Sequence, residues 1–315
     1  MITCVVPCYN AADTIIESLS SLKNQTEKSF EVIIVNDGST DNSEELITEY
    51  IRDDHRFKLY SKENGGLSDA RNYGLRYCES EYICFLDGDD VYEENLFKIL
   101  SREIQNSGSD IYLFKLKRFS NFIDFPQQQS SNVWRIDLSN KDTMSRIISG
   151  YGFNYITQAK LFKSSFLRKH ELTFKNISFE DRLFFLDCIK SDPSISAISY
   201  QGLGYRRSEG SITSTFNVNK VEDRLYVYDQ FSEFVQDCER LNKFESIKED
   251  SLSIHYLNCV IRSSIGSIFK DSWWRIPSNF YKFRKFFREG GRRHVQYPSS
   301  DIHMKAIYVF SKVFL

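Results

Sequence analysis

No stretch of this 315-residue chain approaches the roughly 18–20 consecutive apolar residues that cross a bilayer. No secretory signal precedes the first apolar run. A cytoplasmic chain is therefore expected, free or lying on a membrane surface. The seven cysteines (Cys4, Cys8, Cys78, Cys84, Cys188, Cys238 and Cys259) are odd in number and scattered through apolar contexts. They read as reduced, mostly buried thiols and not as a disulfide framework. Charge of one sign is missing too: the net charge of −2 excludes a nucleic-acid binder as a whole. A dinucleotide-binding oxidoreductase needs G-x-G-x-x-G after its first strand, where Pro7-Cys8-Tyr9-Asn10 stands instead. The phosphate-loop pattern G-x-x-x-x-G-K-[ST] occurs nowhere.

What is present is enough chain to bury one large domain or two unequal ones. Ile2-Thr3-Cys4-Val5-Val6 predicts a first strand, and Ile15, Ile16, Leu19 and Leu22 follow at helical spacing. A second buried strand, from Phe30 to Val35, empties into Asn36-Asp37-Gly38-Ser39-Thr40-Asp41. Asp41 and Glu44 have the spacing of a capping box for a helix whose apolar face is Leu46, Ile47, Tyr50 and Ile51. Phe57 to Tyr60 predicts a third strand. Gly65-Gly66 then turns the chain, and Ser68 is placed to cap a helix running to about Tyr77. The fourth apolar run, Tyr82 to Leu86, leads directly into Asp87-Gly88-Asp89-Asp90. Strands alternating with helices predict right-handed βαβ units and a mostly parallel sheet over about the first 100 residues.

In such a sheet ligands bind beyond the carboxyl ends of the strands. Two aspartates one residue apart, Asp87 and Asp89, suit a shared hard divalent cation. Tyr9 offers a flat ring for stacking on a base. Asp37 is a pure acceptor, suited to an imide N–H or a ribose hydroxyl. Arg71 is placed to complete a base or phosphate contact. Each residue also has a plain structural reading: a polar turn after a strand, a core tyrosine, an Asx turn, a solvated helix arginine.

Taken together, four segments resemble the signature series of family 2 glycosyltransferases. They are Val5-Val6-Pro7-Cys8-Tyr9-Asn10, Val35-Asn36-Asp37-Gly38-Ser39-Thr40-Asp41, Asn64-Gly65-Gly66-Leu67-Ser68-Asp69-Ala70-Arg71-Asn72 and Phe85-Leu86-Asp87-Gly88-Asp89-Asp90. That family consists of inverting enzymes of the GT-A fold that use nucleotide sugars. The resemblance covers roughly the first 100 residues. It implies substrate contacts at Pro7, Tyr9, Asn10, Asp37 and Arg71, with Tyr9 and Asp37 on the nucleobase. It implies a D-x-D motif at Asp87-Gly88-Asp89, with Mn2+ or Mg2+ held by Asp89 and Asp87. Many relatives carry a second aspartate where Asn36 stands here, but Asp37 is retained.

Further along, Asp110 to Leu116 predicts a strand, and 121–140 reads as a loop or edge excursion of the kind in which acceptor specificity varies. An apolar segment from Gly152 to Phe162 contains Gln158 and Lys160. Glu180-Asp181 opens a helix, where acidic residues are common for dipole reasons alone. The resemblance makes Asp181 the catalytic base and gives Glu180 the acceptor hydroxyls. It also places Arg206 and Arg207 in a basic loop that binds the diphosphate. The glycine- and arginine-rich first loop of sugar-nucleotide pyrophosphorylases is missing, as is the Q-x-x-R-W motif of processive synthases. The implied reaction is transfer of one sugar per encounter, with UDP-sugar favoured. The implied acceptor is a saccharide or lipid-linked saccharide in bacterial cell-surface polysaccharide synthesis. The alternative is a non-catalytic carbohydrate- or nucleotide-binding protein of the same fold; a carbohydrate- or calcium-binding module would leave Asp37 and Asp181 unexplained.

The expected organisation is a catalytic domain over 1–215, with nucleotide-sugar binding in 1–104 and acceptor binding in 105–215. A helical region over 216–315 is appended to it. From Lys270 to Leu315 there are ten Lys/Arg against three Asp/Glu, a net +7 that leaves −9 for residues 1–269. Trp273, Trp274, Phe280, Phe283 and Phe287 lie among these basic residues. Three occupants fit such a segment: an anionic membrane surface, a second subunit, or the catalytic domain itself.

Overall fold

The computed structural model describes residues 1–120, 132–140 and 156–207, together with positions 123, 125, 143, 223, 226, 227, 230, 231, 233 and 234. The tail from Lys270 onward, most of the expected helical region and the segment Ser208–Ser211 lie outside the described residues. Two compact units are formed, Met1–Leu138 with Gly152–Ser208 and Ser139–Tyr151 with Glu209–Leu315. In the second, the described positions from 223 to 234 are helical, and Val227 and Phe231, one turn apart, are buried. All the residues singled out for chemistry belong to the first. Among the described residues no helix is long and apolar enough to cross a membrane.

Continuous apolar runs make the strands at the heart of the first unit. β1 (Ile2–Cys8), β2 (Phe30–Asn36), β3 (Phe57–Ser61) and β4 (Tyr82–Phe85) lie in the order β3-β2-β1-β4, all parallel. The crossovers are α1 (Ile15–Lys23), α2 (Ser43–Ile51) and α3 (Leu67–Leu75). α3 sits close on the sheet because Gly74 lacks a side chain: a Cβ there would lie 2.5 Å from Val5 Cγ1. Cys8 and Asn36 are partners in register, so the β1 and β2 ends reach one rim, and β4 delivers Asp87–Asp90 beside them.

Beyond β4 the sheet becomes mixed. The later elements are β5 (Val91–Tyr92), α4 (Leu96–Ser107), β6 (Ile111–Phe119), β7 (Val133–Ile136), a 3-10 turn (Thr157–Ala159), β8 (Lys160–Lys163), α5 (Ser164–Lys169), α6 (Glu180–Lys190) and β9 (Ile195–Arg206). The full order is β3-β2-β1-β4-β8-β6-β9-β5, with β7 on β9. β8 runs antiparallel to both of its neighbours, so the parallel pattern holds for the first four strands and not for the whole sheet. β9 carries the chain back to the rim, where the antiparallel β5 pairs with Leu203 and Gly204. Tyr205 and Arg206 thus end a strand beside Asp90, where the sequence predicts a loop.

Two local expectations are corrected. The α2 capping box does not form. The Asp41 carboxylate accepts from Ser43 and the Ala12 amide, while Glu44 turns to Asn36 and Ser61. Ser68 lies inside α3, and its hydroxyl donates 2.8 Å to the Lys175 carbonyl instead of capping the helix. Tertiary partners draw Glu44 and Ser68 away from capping, while Asp41 keeps a local bond to the Ser43 amide. The five described cysteines are free and buried, as expected.

Candidate active site

Tyr9, just past β1, is 52 % exposed, with its ring open for stacking. Pro7 is buried within β1. Asn10 takes a left-handed backbone (φ 49°), a conformation asparagine tolerates. Its Oδ1 accepts the Thr40 amide at 2.7 Å, and its own amide donates to the Ser39 hydroxyl, tying the first loop to the second. Asp37 is not an open acceptor at the rim. It is 2 % exposed and accepts from Lys62 Nζ at 2.6 Å and from the amides of Gly65 and Gly66 at 3.0 and 2.8 Å. Its carboxylate organises the loop that edges a cleft of about 640 Å³, lined in part by Lys62, Asn64, Ser68, Asp69 and Phe174.

Arg71 is the centre of the site and is 1 % exposed, not solvated on α3. One guanidinium nitrogen donates to Asp87 Oδ1 and another to Glu180 Oε1, both at 2.8 Å, and the group lies over the Phe174 ring. Burial works against its charge, but Asp87 and Glu180 outweigh burial and hold it firmly protonated. Arg71 thus bridges two carboxylates. The other Asp87 oxygen accepts from the Gln158 side-chain amide. Gln158 is buried, and its own Oε1 has no hydrogen-bond partner.

Gly88 leaves no room for a side chain without crowding Ile15, and its carbonyl accepts from the Thr14 hydroxyl at 2.8 Å. Asp89 is partly exposed. Burial, reinforced by Asp87, pushes its carboxyl up to about 6. Asp90 is buried. Its Oδ1 accepts the Arg206 amide at 2.9 Å while Oδ2 is unpartnered, and burial followed by Asp87 and Asp89 raises its carboxyl strongly. Arg206 is already engaged: Nε donates to the Asp89 carbonyl at 2.9 Å, other nitrogens reach Ser120 and Glu17, and the group covers the Phe119 ring. It clasps the aspartate turn from the end of β9. Arg207 is exposed, with its amide on the Phe119 carbonyl.

Glu180 and Asp181 open α6 behind Phe179, whose backbone is left-handed (φ 66°). Burial raises both carboxyls. Arg71 opposes it at Glu180, and Arg182, Arg71 and Lys160 oppose it at Asp181. The Tyr205 hydroxyl is pushed up to about 12, first by burial and then by the field of Asp90, Asp87, Asp89 and Asp181. Lys160 is 1 % exposed, and burial brings its ammonium down to about 7 against the pull of Asp181 and Cys188. Gln158 and Lys160 join this buried polar cluster, although sequence reasoning gave them no role. Two polar residues alternating inside an apolar run were the available signal, because a buried polar group needs a partner.

Among the described residues no group of three or more His, Cys, Asp or Glu side chains forms a metal cage. Asp87 uses both oxygens within the cluster, leaving Asp89 as the member of the pair that fits a divalent ion. It is a partly open oxygen donor whose charge the protein compensates poorly. A site with so few protein ligands suits an ion that keeps water and phosphate oxygens in its shell.

The model of the family described as "Glycosyl transferase family 2" matches residues 3–170. Glycosyltransferase GlyG of Streptococcus pneumoniae serotype 4 is 29 % identical over 249 residues, spanning 76 % of this chain and 80 % of that protein. An uncharacterized glycosyltransferase of Haemophilus influenzae is 30 % identical over 246 residues, 75 % of this chain and 94 % of its own length. Among solved structures, S. aureus TarS 1-349 in complex with UDP-GlcNAc superposes with a TM-score of 0.63 at 25 % identity, covering 96 % of this chain and 94 % of that one.

Proposed function

The chain belongs to glycosyl transferase family 2 and is a glycosyltransferase of the GT-A fold, and from that premise we propose that it moves one sugar, with inversion, from a nucleotide sugar to an acceptor hydroxyl. The single observation that carries this reading is the Arg71 bridge. It joins Asp87, at the turn after β4, to Glu180, beside Asp181 on α6, so the two carboxylate sets form one cluster. The open Tyr9 ring and the UDP-GlcNAc held by TarS support a UDP-sugar donor. The acceptor class is a saccharide or lipid-linked saccharide of the bacterial cell surface.

The acceptor oxygen attacks the anomeric carbon on the side opposite the nucleoside diphosphate. The bond to the diphosphate breaks as the new one forms, and the hydroxyl proton passes to Asp181. One displacement inverts the centre, so an α-linked donor yields a β-glycoside. Burial keeps the Asp181 carboxyl above the ordinary range, which makes it a stronger base once ionised. Glu180, fixed by Arg71, lines the acceptor side. Asp89 would hold a divalent ion, Mn2+ or Mg2+, which would supply Lewis-acid neutralisation of the departing diphosphate. Arg206 holds the Asp89 backbone in place, and the exposed Arg207 is a cation placed to meet phosphate.

The decisive experiment presents a panel of UDP-, GDP- and dTDP-sugars with Mn2+, Mg2+ or chelator, and measures nucleotide binding and slow nucleoside-diphosphate release. Metal-dependent turnover of a UDP-sugar is expected. Binding of nucleotide sugars with no release under any condition would favour a non-catalytic binding protein. We further propose that the basic, aromatic segment 270–315 places the enzyme on the inner face of the cell membrane, with homodimerisation as its competing use.

A further inference from the structure

Lys160 is a cation in an expensive place. It is the first residue of β8, 1 % exposed, and its Nζ donates 2.7 Å to the Ile156 carbonyl across the 3-10 turn. The same nitrogen stands 4.6 Å from the centroid of the Phe185 ring. Phe185 lies four residues after Asp181 on α6, and residues four apart share one face of a helix. The ammonium is therefore delivered by the sheet to the helix face that bears Asp181, and each charge is felt by the other. Methionine, with an unbranched side chain of similar reach, would fill this space without the cost of burying a charge.

We propose that Lys160 is a positioning residue for proton abstraction: fixed by the Ile156 carbonyl and the Phe185 ring, it holds a positive charge against the helix face that bears the Asp181 carboxylate. This rests on the reading of Asp181 as the base. Arg71, Arg182, Glu180 and Tyr205 also act on Asp181, and Asp181 and Cys188 act on Lys160. Arg71 is committed to Asp87 and Glu180, and Arg182 belongs to the same helix as the base. Lys160 is the cation supplied from the sheet. The sign of the effect follows. Burial places the ammonium's own titration near 7, so it is charged over the acidic range in which a carboxyl titrates. Its support falls on the acidic limb. As pH rises past the ammonium's own titration the charge is lost, so this support is confined to the acidic side.

The test uses the full chain with UDP-GlcNAc and Mn2+, reading UDP release into water against pH. In parallel, the Asp181 carboxyl is titrated by 13C NMR and assigned by its disappearance in Asp181→Asn. Lys160→Met should raise the Asp181 midpoint, and the acidic limb with it, by roughly one pH unit. UDP affinity should stay unchanged, and Lys160→Arg should return the midpoint toward the parent value. If Lys160→Met does not fold, Lys160→Gln keeps a donor for the Ile156 carbonyl and carries the same titration. A lowered Tm with an unmoved midpoint makes Lys160 a packing residue and overturns the proposal while the base stands. Full UDP release by Asp181→Asn overturns the base itself, whatever Lys160 does.

Discussion

Arg71 explains at the scale of a single residue how Asp87 and Glu180 can stand close together around a buried guanidinium. Its planar fork reaches Asp87 and Glu180 at once, a task a lysine ammonium performs poorly. Removing one member of a buried pair costs about 3–5 kcal/mol, because the remaining charges lose their compensation. Arg71→Met should therefore lower Tm sharply and abolish turnover, while Arg71→Lys should retain part of the stability and little activity. Melting curves and UDP release measure both, and a fully active Arg71→Lys would remove the bridge from the mechanism. Asp181→Asn keeps size and hydrogen bonding but deletes the proposed base, so about 10²–10⁴-fold in rate should disappear with UDP affinity intact. Loss of UDP binding in that variant would move Asp181 to the donor side. Asp89→Ala should be inactive at every Mn2+ and Mg2+ concentration, since Asp87 is held by Arg71 and Gln158 and cannot replace it. Turnover by that variant in chelator would eliminate the metal from the reaction.

Among the elements, the pairing of β5 with β9 does most to assemble the site. It sets the end of β9 against the aspartate turn, where the Arg206 amide and side chain take hold of Asp90 and Asp89. α3 has the corresponding task on the other side, carrying Arg71 under the rim at a depth set by Gly74. Gly74→Ala tests that depth. The new methyl would meet Val5 Cγ1 at 2.5 Å, and Val5 is fully buried and β-branched, so it has little rotamer freedom with which to yield. Overpacking of this kind costs about 1–3 kcal/mol, more than the helix-propensity gain of up to about 1 kcal/mol from removing glycine. A fall in Tm of a few degrees is expected, with activity well below Tm reduced if Arg71 is lifted. An unchanged or raised Tm would mean that helix and sheet part without cost.

For the molecule as a whole, the distribution of charge matters more than its sum. Residues 1–269 carry −9 and the last 46 carry +7, so the two regions present opposite signs to an anionic surface. Each basic residue close to such a surface contributes about 1 kcal/mol. Replacing Lys282, Arg284, Lys285 and Arg288 with glutamine in the full chain should thus weaken sedimentation with anionic vesicles by about a thousandfold. Binding of the parent should fall in high salt, while the aromatic contribution persists. Equal sedimentation of parent and variant with neutral and anionic vesicles would assign the segment to a dimer contact or to the catalytic domain.

The amino-acid sequence alone determined the four parallel strands, their crossover helices and the rim at which Tyr9, Asp37 and Asp87–Asp90 gather. Each of those features follows from a short apolar run or from residues immediately after a strand, so neighbours along the chain suffice to specify it. The structure decided the partners. Asp87 lies 16 positions from Arg71 and Glu180 lies 109 away, and no local pattern states that a helix arginine is buried between them. Arg206 reads as a free basic loop until β9 brings it 2.9 Å from the Asp89 carbonyl. Asp37 reads as an open acceptor until the Gly65-Gly66 turn folds over it. Gln158 and Lys160 acquire meaning only when the antiparallel β8 is inserted between β4 and β6. Charge and hydrogen-bonding capacity belong to the residue, but burial and long-range pairing belong to the packing, and those two quantities separate an ornamental polar residue from a working one.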